Sequence, residues 1–96
     1  MTQTKAAGPL SGILVVDLTR QPGHARGAVD ALGPRAARWA LVSTGNVYAD
    51  LSGPLREEDR LREPLAADEA DVELYGEGKV ACEEAVRALE HHLVLR

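Results

Sequence analysis

The stretch "YGEGK" places a tyrosine and a lysine four residues apart, Tyr75 and Lys79. A free phenol titrates near 10, so alone it is a poor base at neutral pH. Residues i and i+4 share one helix face, and an ammonium group on that face favours the phenolate. Such a pair can pass a proton to or from a substrate hydroxyl. A strand-end hydroxyl could hold the substrate oxygen in line, and "VSTGNVY" offers Ser43 and Thr44. Gly76 and Gly78 each cost a helix interior roughly 1 kcal/mol relative to alanine. Their presence predicts that something approaches this backbone closely, and the expected occupant is a ligand. Against these readings stand two plainer ones. An amphipathic helix can carry a lysine that snorkels from its buried stripe, and a Ser or Thr hydroxyl at a strand end can cap local backbone.

The elements that must position these residues are legible as an α/β pattern. "GILVVDL", 12–18, is a short apolar run rich in β-branched residues, the pattern of a parallel strand buried on both faces. "QPGHARGAVDALGPRAAR" then carries Ala25, Ala28, Val29 and Leu32 at helical spacing, with Pro22-Gly23 before them and Gly33-Pro34 as a stop. "RWALVST", 38–44, reads as a second strand, so residues 12–44 form a strand-helix-strand unit. Residues 45–73 show no sustained period, and a loop of this length is a working loop or disorder. A terminal helix is expected over about residues 70–93. Tyr75, Lys79, Cys82, Val86, Leu89 and Leu93 fall on one stripe of it, with a Glu83–Arg87 pair on its outer face. The expected architecture is thus a two-stranded, partial Rossmann-like parallel sheet with a long loop and a terminal helix, covering residues 12–96 behind a loose arm at 1–11.

"WALVSTGNVYAD", then "REEDRLREP", then "YGEGKVACE" resemble the extended short-chain dehydrogenase/reductases of the NAD-dependent epimerase/dehydratase type. In that family a strand ends in a Ser/Thr turn before "VYG" or "VYA", an acidic loop with proline follows, and a Y-x-x-x-K helix closes the site. The resemblance implies Tyr75 as acid/base and Thr44 as the hydroxyl that aligns the substrate. It implies Lys79 as the residue that tunes the tyrosine and holds the nicotinamide ribose of NAD or NADP. "ILVVDLTR" resembles the strand whose end lies against the cofactor, which would bring Leu18 and Thr19 near the dinucleotide. The resemblance further implies a hydroxyl or carbonyl substrate such as a nucleotide sugar, and a homodimer through the helix of Tyr75 and Lys79. The chain departs from the family in having no glycine-rich turn for the pyrophosphate and no C-terminal substrate region. It looks like the centre of a family member, able to persist as a non-catalytic dimerisation or complementation module. "GPLSGILVVDLTR" has a shorter resemblance to the opening of family III CoA-transferases.

Composition bounds the rest. The 96 residues are 45% apolar and 27% charged, enough for one domain with one core. The net charge is −4, and residues 51–96 hold twelve acidic against six basic side chains. No basic stripe marks a nucleic-acid surface. No apolar run approaches the 18 or so residues of a membrane span, and no secretory leader is recognisable, so a cytoplasmic protein is expected. Cys82 is the only cysteine, which excludes an internal disulfide and reads as a small buried hydrophobe. Asp17 reads as a turn or cap residue. Glu57, Glu58 and Asp59, flanked by Arg56, Arg60 and Arg62, read as a solvated, self-paired loop rather than a metal site. His91 and His92 read as a fraying helix end.

Overall fold

A computed structural model describes residues 13–96; the expected arm at 1–11 lies outside them. Three strands and two helices alternate along the chain: β1 Leu14–Asp17, α1 Pro22–Leu32, β2 Arg38–Val42, α2 Tyr75–Arg87 and β3 His92–Leu95. The strands form one parallel sheet in the order β1-β2-β3. This βαβαβ arrangement is a partial Rossmann-like fold with its strands in sequential order.

Local chemistry sets the boundaries. Pro22 opens α1 at the position where a missing N–H costs nothing, and the short 3-10 turn Gly33–Arg35 closes it. Asp71 accepts a hydrogen bond from Leu74 N–H and caps the 3-10 turn Val72–Leu74 that leads into α2. Alternation along the strands turns Val15, Trp39 and Leu41 toward both helices, where they pack with Ala25, Val29, Cys82 and Val86. A smaller cluster of Val47, Tyr48 and Val80, with Leu61 beside it, joins the loop to α2.

Four expectations are corrected. The sheet has three strands rather than two, because α2 ends at Arg87 and "HLVL" pairs with β2. His92 therefore opens a strand instead of fraying from a helix, and Leu93 belongs to the sheet rather than to the helical stripe. β1 is not buried on both faces, since Leu14 and Val16 are exposed while both helices pack on the opposite face. The loop over residues 45–73 is not wholly disordered, because it is tied down at both ends while residues 50–58 are exposed. Tyr48 and Leu61 form an antiparallel bridge, Arg26 donates to the carbonyls of Leu65, Ala66 and Ala67, and the Gln21 amide pairs with both backbone groups of Ala70. Within that loop Arg62 pairs with Glu77 of α2, not with its own acidic neighbours.

Candidate active site

The carboxyl ends of β1 and β2 and the first two turns of α2 converge at the end of the sheet where open α/β folds bind ligands, but the sequential strand order makes no switch point there. Lys79 enters this corner from α2 with its side chain buried. Its ammonium donates to the carbonyls of Thr19 and Val42, both at 2.7 Å. Burial pushes the Lys79 pKa down, and the neighbouring Cys82, Asp17 and Glu83 act in the other direction without cancelling it. An ammonium has three donors, and two of them are spent on these strand ends.

Tyr75 is the first residue of α2 and is half-buried. Among the described residues its hydroxyl enters no hydrogen bond, so the phenol remains chemically uncommitted. Thr44 lies at the end of β2, where its hydroxyl oxygen accepts from Asn46 N–H at 3.2 Å and caps the 3-10 turn Gly45–Val47. That turn packs against the start of α2: a methyl group on Gly76 would overlap the Asn46 carbonyl and come within 2.7 Å of the Arg62 side chain. On Gly78 it would come within 2.7 Å of the Ala70 methyl group and 3.2 Å of the Arg20 carbonyl. The room left by both glycines is filled by the chain itself, not by a ligand.

Leu18 and Thr19 follow β1 at the same end of the sheet. Leu18 is exposed. Thr19 accepts from Gln21 N–H with its hydroxyl and from Lys79 with its carbonyl. Asp17 ends β1 and caps the turn after it, accepting from Thr19 N–H, and it also accepts from the Trp39 indole. The structure thus brings Thr19, Val42 and Lys79 into direct contact and sets the Thr44 turn beside the first turn of α2.

The strongest polar cluster was missed by sequence reasoning. Glu83 has no exposed surface, which corrects its expected place on an outer helix face. Arg96 meets its carboxylate with two donors, at 2.7 and 3.1 Å, Ser43 donates to it at 2.6 Å, and Arg87 adds a second cation at 3.2 Å. Arg96 also donates to the Tyr48 hydroxyl and lies over its ring, with 5.3 Å to the centroid. Burial raises the Glu83 pKa, but the bonds from Arg96 and Ser43 and the nearby arginine charges outweigh it and hold the carboxyl below its ordinary range. The readable signal was the spacing Tyr75, Lys79, Glu83: a third residue on the same i, i+4 row as two inward-facing ones.

The dinucleotide can be tested against these residues piece by piece. The free Tyr75 hydroxyl and the remaining Lys79 N–H suit a ribose or carbonyl oxygen. A pyrophosphate does not suit the start of α1, because Pro22 has no N–H and Gly23 N–H is already bonded to the Asp68 carbonyl at 2.8 Å. Among the described residues no group of three or more His, Cys, Asp or Glu could hold a metal ion, and no helix is long and apolar enough to cross a membrane. No family model, no curated protein and no solved structure matches this chain.

Proposed function

We propose that the chain carries the proton-transfer half of an NAD(P)-dependent epimerase/dehydratase or reductase site. The observation behind this reading is the uncommitted hydroxyl of Tyr75, one helical turn from an ammonium fixed at the strand ends. Tyr75 exchanges a proton with a substrate hydroxyl or carbonyl, and Lys79 holds an ammonium one helical turn away at the strand ends. Thr44 lies on the turn that packs beside this helix start, and it aligns the substrate oxygen once its hydroxyl turns from Asn46. The nicotinamide, when bound, supplies or accepts the hydride. Lys79 and Tyr75 would hold its ribose, and Leu18 and Thr19 would line the cofactor. A nucleotide sugar or a related alcohol or ketone is the substrate class. The pyrophosphate must be held by groups other than the start of α1.

Calorimetric titration of the folded chain with NAD and with NADP tests this reading. Saturable binding that weakens at least about tenfold in both Tyr75→Phe and Lys79→Met is expected, a difference of about 1.4 kcal/mol. A folded chain that takes up neither cofactor at millimolar concentration overturns it.

One observation favours a second reading. Lys79 is already bonded to two backbone carbonyls, which suits a clasp joining α2 to β1 and β2. On that reading the chain acts through its contacts, as a dimerisation or complementation module. Titration separates the two, because a clasp stabilises the fold without making it bind a cofactor.

A further inference from the structure

The sheet has one face with nothing on it among the described residues. Alternation and register place Leu14 and Val16 of β1, Arg38, Ala40 and Val42 of β2, and Leu93 and Leu95 of β3 on that face. Leu14, Val16, Leu93 and Leu95 are each about half exposed, at 53%, 57%, 55% and 47%. Parallel sheets are ordinarily covered on both sides, so this face is an unfinished surface. We infer that it is a self-association surface, covered by the same face of a second copy of this chain.

Three features favour a second copy as occupant. The first is relief. Val16, Ala40 and Leu93 are in register across the sheet, large-small-large, so Ala40 floors a dent between two aliphatic ridges. A two-fold axis parallel to the strands, running between β2 and β3, sets Leu93 of each copy over Ala40 of the other and Leu95 over Val42. The sheets then stack about 10 Å apart. The second is charge. Among the described residues Arg38 is the only formal charge on the face, and Glu90 lines the same groove as Leu14, Arg38, Ala40, His91 and Leu93. The same axis brings Arg38 of each copy to Glu90 of the other, twice, as an isologous interface requires. The third is size. An aliphatic patch on the order of 400 Å² is at the level of the largest patches on ordinary monomers. Arg38, Glu90 and His91 add a polar rim to it, the arrangement expected of an interface. The exposed strip of α2, by contrast, presents Glu84 and Arg87, and its apolar residues are committed to the chain's own core.

Sedimentation equilibrium of the whole chain, from micromolar to submillimolar concentration, reads the outcome. A mass of twice 10.3 kDa is expected, with dissociation at least about tenfold easier in Leu93→Glu and in Arg38→Glu. Combining Arg38→Glu with Glu90→Arg should restore the dimer. Circular dichroism confirms that each variant is folded. If Leu93→Glu is not, the exposed charge swap decides alone. Changing Glu84 and Arg87 to alanine should leave the mass unchanged. A chain that stays monomeric throughout overturns the proposal. So does a dimer broken by the α2 changes and indifferent to Leu93 and Arg38.

Discussion

A carboxylate without exposed surface must have its charge met inside the protein, and Glu83 meets it with three side chains from three places: Arg96 just beyond β3, Ser43 just beyond β2, and Arg87 one turn along α2. Two of these bonds come from Arg96 at 2.7 and 3.1 Å, the bidentate geometry in which arginine binds carboxylate best. Removing one partner of a buried pair costs more than the pair itself contributes, because a charge is left behind without compensation. Arg96→Ala is therefore expected to lower the unfolding free energy by about 2–4 kcal/mol, the lower part of the range reflecting the charge that Arg87 still supplies. Ser43→Ala, which removes a single donor, should cost about 1–2 kcal/mol. Urea titration of both variants provides the values. Equal losses would mean that the hydroxyl, not the ion pair, anchors the carboxylate.

At the scale of elements, the opening of α2 shows how a local rule can be read correctly and its cause misassigned. Gly76 and Gly78 do mark a close approach. What approaches is the Asn46 carbonyl and the Arg62 side chain in one case, the Ala70 methyl group and the Arg20 carbonyl in the other. Alanine should therefore destabilise at both positions, by about 1–3 kcal/mol of overpacking, despite a helix-propensity gain near 1 kcal/mol. Gly27, in the middle of α1, has nothing within 4 Å of an added methyl group. There the propensity gain stands alone, and Gly27→Ala should raise stability by about 0.5–1 kcal/mol. Thermal melts of the three variants test the contrast in sign. β1, α1 and β2 were readable because each carries its period between Gly or Pro marks. β3 was not, because no Gly or Pro separates Arg87 from His92 and Leu89 and Leu93 continue the helical spacing. Missing β3 concealed the Glu83 network as well, since its principal cation, Arg96, immediately follows that strand. Thr44 just beyond the second strand and Lys79 on the last helix are legible by position, but a sequence cannot show which backbone groups such side chains already hold.

For the molecule as a whole, Glu83 adds polar ties to parts that the two apolar clusters already join. Through Arg96 and Ser43 it ties α2 to the ends of β2 and β3, and Arg96 continues to the Tyr48 hydroxyl and the Glu57 carbonyl in the long loop. Protonating this carboxyl should therefore weaken the whole fold, not loosen one segment. Its folded pKa lies below the ordinary 4.5, so near that pH the unfolded chain binds more protons than the native one. Stability is accordingly full above about 4.5 and is lost as the pH falls through the depressed folded value. The groups facing Glu83 are the guanidinium groups of Arg96 and Arg87, the Ser43 hydroxyl and the nearby Lys79 ammonium. All of these keep their charge or neutrality across the acid range, leaving the carboxyl as the titrating member. Denaturation of wild type and Glu83→Gln, followed from about pH 6 to pH 3, isolates the effect. Glu83→Gln should be the less stable protein at pH 6, with a flatter decline, so that the two curves converge in acid. Far-UV and tryptophan signals should fall together, since Trp39 lies in the core that α2 closes. Parallel curves would place the acid sensitivity on other carboxylates. Converging curves with separate optical transitions would show that the network holds the loop alone.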